Sequence, residues 1–164
     1  MLRRMADLPR TPGEDLSSLR AVVTSSSLLH TATAQACRAR FGAPVVNIYG
    51  SADGVNCHTA GGRCGSEACV GLPAPNVAEI RIADASGRSV PAGQEGEIWA
   101  RGPMTPLCYV NAPEPDARYR PSGGWVCTGD RGLLDQDGCP PDSGMACSHP
   151  VDVRLVDGTR QEFT

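Results

Sequence analysis

Four groups of residues combine types and spacing that could do chemistry. Ser25-Ser26-Ser27 follows the mostly apolar run Leu19-Arg20-Ala21-Val22-Val23. Asn47-Ile48-Tyr49-Gly50-Ser51-Ala52-Asp53 completes and extends a second β-rich run that opens at Pro44. Polar groups at the carboxyl ends of parallel strands face an open crevice, the usual ligand position of such sheets. There the Tyr49 ring can stack on a purine, the Asn47 amide can hydrogen-bond an amino group, and the Asp53 carboxylate can hold magnesium beside phosphates. Asp130, in the Gly129-Asp130 pair between two short strand-like runs, can accept hydrogen bonds from two vicinal hydroxyls. Each group has a plainer reading. The serines could cap the next helix, Tyr49-Gly50 could simply end a strand, and Asp130 could stabilise its own turn. The fourth group, Cys57-His58 with Cys64 and Cys69, offers four zinc ligands, but adjacent ligands followed by gaps of five and four residues do not form the usual knuckle.

The elements that must carry these residues follow from periodicity. Leu19–Val23 reads as a buried strand and His30–Phe41 as a helix, with Ala34, Cys37 and Phe41 at helical spacing and Gly42 as its stop. Pro44–Tyr49 is a second strand, so residues 19–66 hold a β-loop-α-β unit followed by a Gly- and Cys-rich loop from Gly54 to Ser66. The texture then changes. Ala78–Ile82 and Gly96–Arg101 alternate with period two, and Trp125–Thr128 and Arg131–Leu134 flank Gly129-Asp130. Short strands separated by turns at Asp84–Gly87, Pro91–Gly93 and Asp135–Gly138 predict a small antiparallel sheet over residues 67–138. The Asp135-x-Asp137-Gly138 turn lacks the further ligands of a calcium loop and reads as a hairpin turn. Residues 1–18, rich in Pro, Gly and charge, read as a flexible leading segment. After Cys139 no period persists apart from a strand expected within Val151–Val156.

Composition narrows the partners. The 164 residues carry a net charge of -3, with charges scattered rather than grouped, which argues against nucleic acid. No run approaches the ~18 consecutive apolar residues of a membrane span, and the basic start has no apolar segment behind it, so a soluble, cytoplasmic protein is expected. The eight cysteines are dispersed without a C-x-x-C pair and are expected to be reduced thiols. All fifteen basic residues are arginine. A mechanism that needs an ammonium group therefore cannot run on this chain alone.

Taken in order, the segments resemble the adenylate-forming superfamily, and within it the AMP-forming acyl-CoA synthetases. Tyr49-Gly50-Ser51-Ala52-Asp53 resembles that family's Tyr-Gly-x-Thr-Glu, and Val70-Gly71-Leu72-Pro73-Ala74-Pro75 its Val-Gly-x-Pro-x-Pro. Gly93-Gln94-Glu95-Gly96-Glu97-Ile98 with Arg101-Gly102-Pro103, and Tyr109-Val110-Asn111-Ala112-Pro113-Glu114, continue the series. Gly124-Trp125-Val126-Cys127-Thr128-Gly129-Asp130 matches Gly-Trp-x-x-Thr-Gly-Asp. The resemblance implies an α+β fold: a partial α/β nucleotide-binding lobe followed by a small antiparallel β-subdomain. It places Ser25, Ser26 and Ser27 in the adenine loop, Asn47, Tyr49, Gly50 and Ala52 along the nucleotide, Asp130 on the ribose hydroxyls, and Asp53 at magnesium. The implied reaction uses ATP and magnesium to activate a small-molecule carboxylic acid as its acyl-adenylate, then passes the acyl group to coenzyme A.

Departures from the family pattern bear on that expectation. Ser25-Ser26-Ser27-Leu28 replaces a Gly-Gly-Ala-Pro type loop, Ala52 the phosphate-binding threonine, Asp53 a longer glutamate and Cys108 a glycine. The lysine-bearing phosphate loop expected ahead of Leu19, and the hinge and lysine lobe expected after Gly138, have no counterpart in the sequence. These features read as an internal fragment that is incomplete alone, with the missing lobes on a separate polypeptide and a frameshifted, non-family tail over residues 139–164. A non-catalytic remnant that binds nucleotide or a partner is the alternative.

Overall fold

A computed structural model describes residues 1–60, 69–74, 77, 79–134 and, as backbone alone, 153–155. Its elements in chain order are α1 (Leu2–Ala6), β1 (Val22–Ser25), α2 (Thr31–Phe41), β2 (Val45–Gly50), β3 (Asn56–His58), β4 (Cys69–Pro73), β5 (Glu79–Ala83), β6 (Gly96–Arg101), α3 (Pro113–Tyr119), β7 (Val126–Leu134) and β8 (Val153–Leu155). The strands hydrogen-bond in the order β1-β2-β3-β4-β8-β7-β6-β5. Among the described residues only β1 and β2 run parallel, in the register Val22↔Val45 to Ser25↔Ile48. Every other pairing is antiparallel. The expected mixed architecture, a β-α-β unit leading into an antiparallel sheet, is what forms.

The β1-α2-β2 unit follows its sequence closely. Ala34 and Cys37, three residues apart, supply the buried stripe of α2. Gly42 closes the helix in the left-handed conformation, φ 66°, and donates its N–H to the Arg38 carbonyl. In β2 the alternation puts Val45 and Asn47 on the buried side. At the far end, β5 and β6 present Ile82, Ile98 and Ala100 to the interior, with Val126 of β7 also fully enclosed. Ile82, Ile98 and Ala100 join Val55, Cys57, Val70 and Val77 in one core against which Tyr49 and Leu134 pack, so both halves of the chain share an interior.

Several expectations change. The leading segment is tied down rather than flexible: α1 packs on α2, and Arg40 donates to the Leu8 carbonyl (3.1 Å) and to both oxygens of Glu14 (2.7 and 2.8 Å). Arg40 holds the Glu14 carboxyl below its ordinary range. Within the expected loop, Asn56–His58 form β3, a three-residue strand too short to show a period. The two runs around Gly129-Asp130 are one strand, β7, interrupted by a bulge. Helix α3 has no buried residue and so no apolar stripe, but Pro113 in its first turn with Glu114 and Asp116 is a helix-start signal. The strand expected within Val151–Val156 is β8, placed between β4 and β7. The turn at Asp135–Gly138 and the rest of the tail lie outside the described residues. Cys37, Cys57, Cys108 and Cys127 are free thiols, whereas Cys69 is disulfide-bonded, against the expectation that all are reduced. Among the described residues no helix is long and apolar enough to cross a membrane.

One backbone contact fixes β4 against β3. Gly71 has φ 83°, and a Cβ built there would lie 2.0 Å from the His58 carbonyl oxygen, a backbone atom that cannot swing aside. Gly71→Ala should therefore lower the unfolding free energy by at least about 2 kcal/mol, read as a shift in the urea midpoint. An unchanged midpoint would mean that β3 and β4 do not approach in solution as they do here.

Candidate functional site

The two polar groups of the parallel unit come together because parallel strands end together. Ser25 pairs in register with Ile48, which places Ser25-Ser26-Ser27 beside the Asn47–Gly50 end of β2. All three serines are exposed, Ser26 takes a positive φ of 72°, and its hydroxyl lies 3.4 Å from that of Ser25. They stand well before His30, the N-cap of α2, so they do not cap that helix.

Asn47 and Tyr49, two residues apart on β2, share a face. The Asn47 backbone is fully engaged with Thr59: its N–H donates to Thr59 Oγ1 at 2.8 Å, and its carbonyl accepts the Thr59 N–H at 3.0 Å. Its side chain is not. Asn47 is only 7% exposed, yet among the described residues its Oδ1 has no hydrogen-bond partner. A buried amide oxygen without a donor costs roughly 1–3 kcal/mol, so the position favours a further donor.

Tyr49 meets Asp130, 81 positions downstream: its hydroxyl donates to Asp130 Oδ2 at 2.5 Å. The bulge in β7 makes this contact. Between the pairs Trp99↔Cys127 and Glu97↔Arg131, β6 advances two residues and β7 four, so Thr128-Gly129-Asp130 leaves the ladder. Gly129 supplies the positive φ, 76°. Thr128 Oγ1 donates to the Ile98 carbonyl (2.9 Å) and accepts the Asp130 N–H (3.2 Å), while the Gly129 N–H donates to Glu97 Oε1 (3.3 Å). Asp130 is thus held at its backbone and turned toward β2, and its carboxylate does not serve its own turn. Burial first, then the bond to Asp130, drives the Tyr49 phenol far above its ordinary value.

Asp53 lies in the turn after β2 and does not join that pair. Ser51 Oγ donates to its Oδ2 at 2.6 Å, and the Tyr109 hydroxyl donates to its Oδ1. Sequence reasoning left Ser51 and Tyr109 out of the site; only their places within family-like motifs could have drawn attention to them. Gly50 ends β2, and Ala52 is exposed in the same turn. The proposed zinc group does not assemble among the described residues, where no three His, Cys, Asp or Glu side chains gather to hold a metal. Cys57 is buried, with its thiol pushed up to about 12 by burial, and Cys64 lies outside the described residues.

A family model described as AMP-binding enzyme matches residues 1–110. Pyochelin synthase PchD of Pseudomonas aeruginosa is 35% identical over 126 residues, covering 76% of this chain and 23% of its own. The 2-hydroxy-7-methoxy-5-methyl-1-naphthoate–CoA ligase of Streptomyces carzinostaticus is 33% identical over 132 residues, covering 77% and 23%. Among solved structures, the amide bond synthetase McbA from Marinactinospora thermotolerans superposes with a TM-score of 0.77 at 34% identity, over 95% of this chain and 29% of its own. The chain therefore spans roughly a quarter of the length of these relatives. On the extent of the family match and the identity to these relatives, the chain belongs to the AMP-binding enzyme family.

Proposed function

We propose that the chain supplies the adenosine-holding portion of an AMP-forming carboxylate–CoA ligase. The observation that carries this reading is the Tyr49–Asp130 contact beside the unpartnered Asn47 Oδ1. An aromatic face, an amide oxygen and a carboxylate converge there, matching the needs of a purine ring, its amino group and a pair of ribose hydroxyls. The serines close the adenine side from β1.

In the full reaction an oxygen of the substrate carboxylate attacks the α-phosphorus of ATP and pyrophosphate leaves. The thiol of coenzyme A then attacks the acyl carbon of the adenylate and AMP departs. Magnesium, when bound, neutralises charge on the phosphates. Asp53 is the residue that would meet it. Its carboxylate fits that role, since two hydroxyl donors hold it in place while its remaining lone pairs stay available. Magnesium commonly takes only one or two protein carboxylates and completes its shell from phosphate and water.

The acceptor is read as coenzyme A, and the acid as a fatty or aryl carboxylic acid. Support comes from relatives named as CoA ligases, including indoleacetate–CoA ligase of Aromatoleum aromaticum. The chain is proposed to work in the cytoplasm together with segments that carry lysine, a residue this sequence lacks. That lack, together with Ala52 at the phosphate position, favours a second reading in which the chain binds nucleotide without catalysis.

AMP binding followed by calorimetry tests the assignment. Asp130→Asn should weaken binding roughly tenfold or more, because it removes charge-assisted bonds to the ribose. Asp53→Asn, without metal, should change it by less than about twofold. If Asp53→Asn is the more damaging change, the ribose site is misplaced. Pyrophosphate exchange by the chain alone should stay at background with any acid, and acid-dependent exchange would refute the need for further segments.

The Tyr49–Asp130 pair also carries a pH signature. A phenol held above its ordinary 10.0 contributes stability that is intact below that pH and lost as pH rises past it, since the unfolded chain ionises first. Tyr49→Phe should therefore show a smaller drop in urea midpoint between about pH 8 and about pH 11 than the parent chain. Equal drops would mean that the phenol is not held by the carboxylate.

A further inference from the structure

Asp53 is fastened from two directions. Its own turn holds Oδ2 through Ser51 Oγ, which in return accepts the Asp53 N–H at 3.1 Å. The Oδ1 side is held by Tyr109, from a segment 56 positions downstream. The two segments are also pressed together at their backbones. Gly54, φ 93°, sits so close to Met104 and Thr105 that a Cβ there would lie 2.8 Å from Thr105 Cα. Tyr109 is in turn set by α3: its N–H donates to Asp116 Oδ1 at 3.0 Å, and its ring lies 6.2 Å from that of Tyr119, tilted by 60°.

We infer that Tyr109 is a positioning residue for Asp53, and that the two act as one unit in holding the divalent cation that accompanies a nucleoside triphosphate. The inference rests on the nucleotide reading above and adds to it a residue from outside the nucleotide loops. The physical reason is reach. Asp53 is short, so a cation can be met only at a place fixed by the turn, and one donor on each oxygen fixes the plane of the carboxylate while leaving lone pairs for the ion. Tyr109 spans the gap to the α3 segment, and through Asp116 and Tyr119 it makes the carboxylate's orientation depend on α3 being in place.

Manganese tests this with a signal that a purely structural role would not move. The parent chain, Tyr109→Phe, Asp53→Asn and the double variant are titrated with Mn²⁺·ATP and followed by electron paramagnetic resonance, with metal-free AMP binding measured on the same samples. Tyr109→Phe should weaken Mn²⁺·ATP binding roughly three- to tenfold, the loss of one charge-assisted hydrogen bond. Asp53→Asn should weaken it at least as much, and the double variant no more than Asp53→Asn alone. AMP binding by Tyr109→Phe should shift by less than about twofold. The inference is overturned if Tyr109→Phe keeps parental Mn²⁺·ATP affinity, if the two losses multiply, or if AMP and Mn²⁺·ATP weaken together. It is equally overturned if the parent binds AMP but does not retain Mn²⁺·ATP. A parent that binds neither would instead remove the nucleotide reading itself, an outcome that the AMP arm distinguishes.

Discussion

The hydrogen bond from Tyr49 to Asp130 joins the parallel half of the chain to the antiparallel half. Each partner needs the other. A phenol packed against the shared core must find an acceptor for its O–H, and a carboxylate in the same place must find a donor. Asp130 comes from the bulge in β7, and Tyr49 from the stretch of β2 past its last pair with β1, where only the ladder to β3 continues. In the proposed assignment the same two groups meet the purine and the ribose. The junction between the halves and the binding of nucleotide then draw on the same atoms.

The bulge that delivers Asp130 depends on a platform on the outer face of β5–β7. Arg81 lies between two indole rings, 4.5 Å from the centre of Trp99 and 4.1 Å from that of Trp125, and Arg101 stands 4.8 Å from Trp125. Gly87 lets the adjacent turn close over Trp99, since a Cβ there would lie 2.8 Å from the edge of the ring. Glu97 connects platform to bulge: one carboxylate oxygen accepts the Trp99 indole N–H at 3.0 Å, the other the Gly129 N–H at 3.3 Å. The Gly-Glu-Ile segment looks structural from sequence. Its glutamate is a support for the loop that carries Asp130.

Periodicity makes α2, β5 and β6 readable from the amino-acid sequence alone, through Ala34 and Cys37 at helical spacing and through the period-two runs Ala78–Ile82 and Gly96–Arg101, while β2 reads from its β-rich composition. What stays hidden has no such signal. β3 is three residues long, α3 buries nothing, and α1 belongs to a leading segment held by Arg40, whose partners Leu8 and Glu14 lie about thirty positions away in sequence. The candidate site divides on the same line. Asn47 and Tyr49 can be paired by strand spacing, and the serines placed beside them by the β-α-β crossover. Tyr109 on Asp53 cannot, because that contact depends on how close a glycine backbone at position 54 lets two loops come.

The two carboxylates differ in what they leave open, and that difference separates two roles. Asp130 is held at its backbone and takes Tyr49 on one oxygen, which leaves most of its roughly four lone-pair positions for hydroxyl donors. Asp53 takes a hydroxyl on each oxygen and is fixed in plane, an arrangement suited to one ion rather than to two ribose hydroxyls. Adenosine recognition then needs neither metal nor triphosphate. In that assignment cation handling depends instead on α3, a helix with no buried residue of its own, which keeps its place through the contacts of its neighbours. In the proposed assignment the adenosine moiety is held in all nucleotide states, while the phosphates are met separately, through the less firmly built contacts of Asp53.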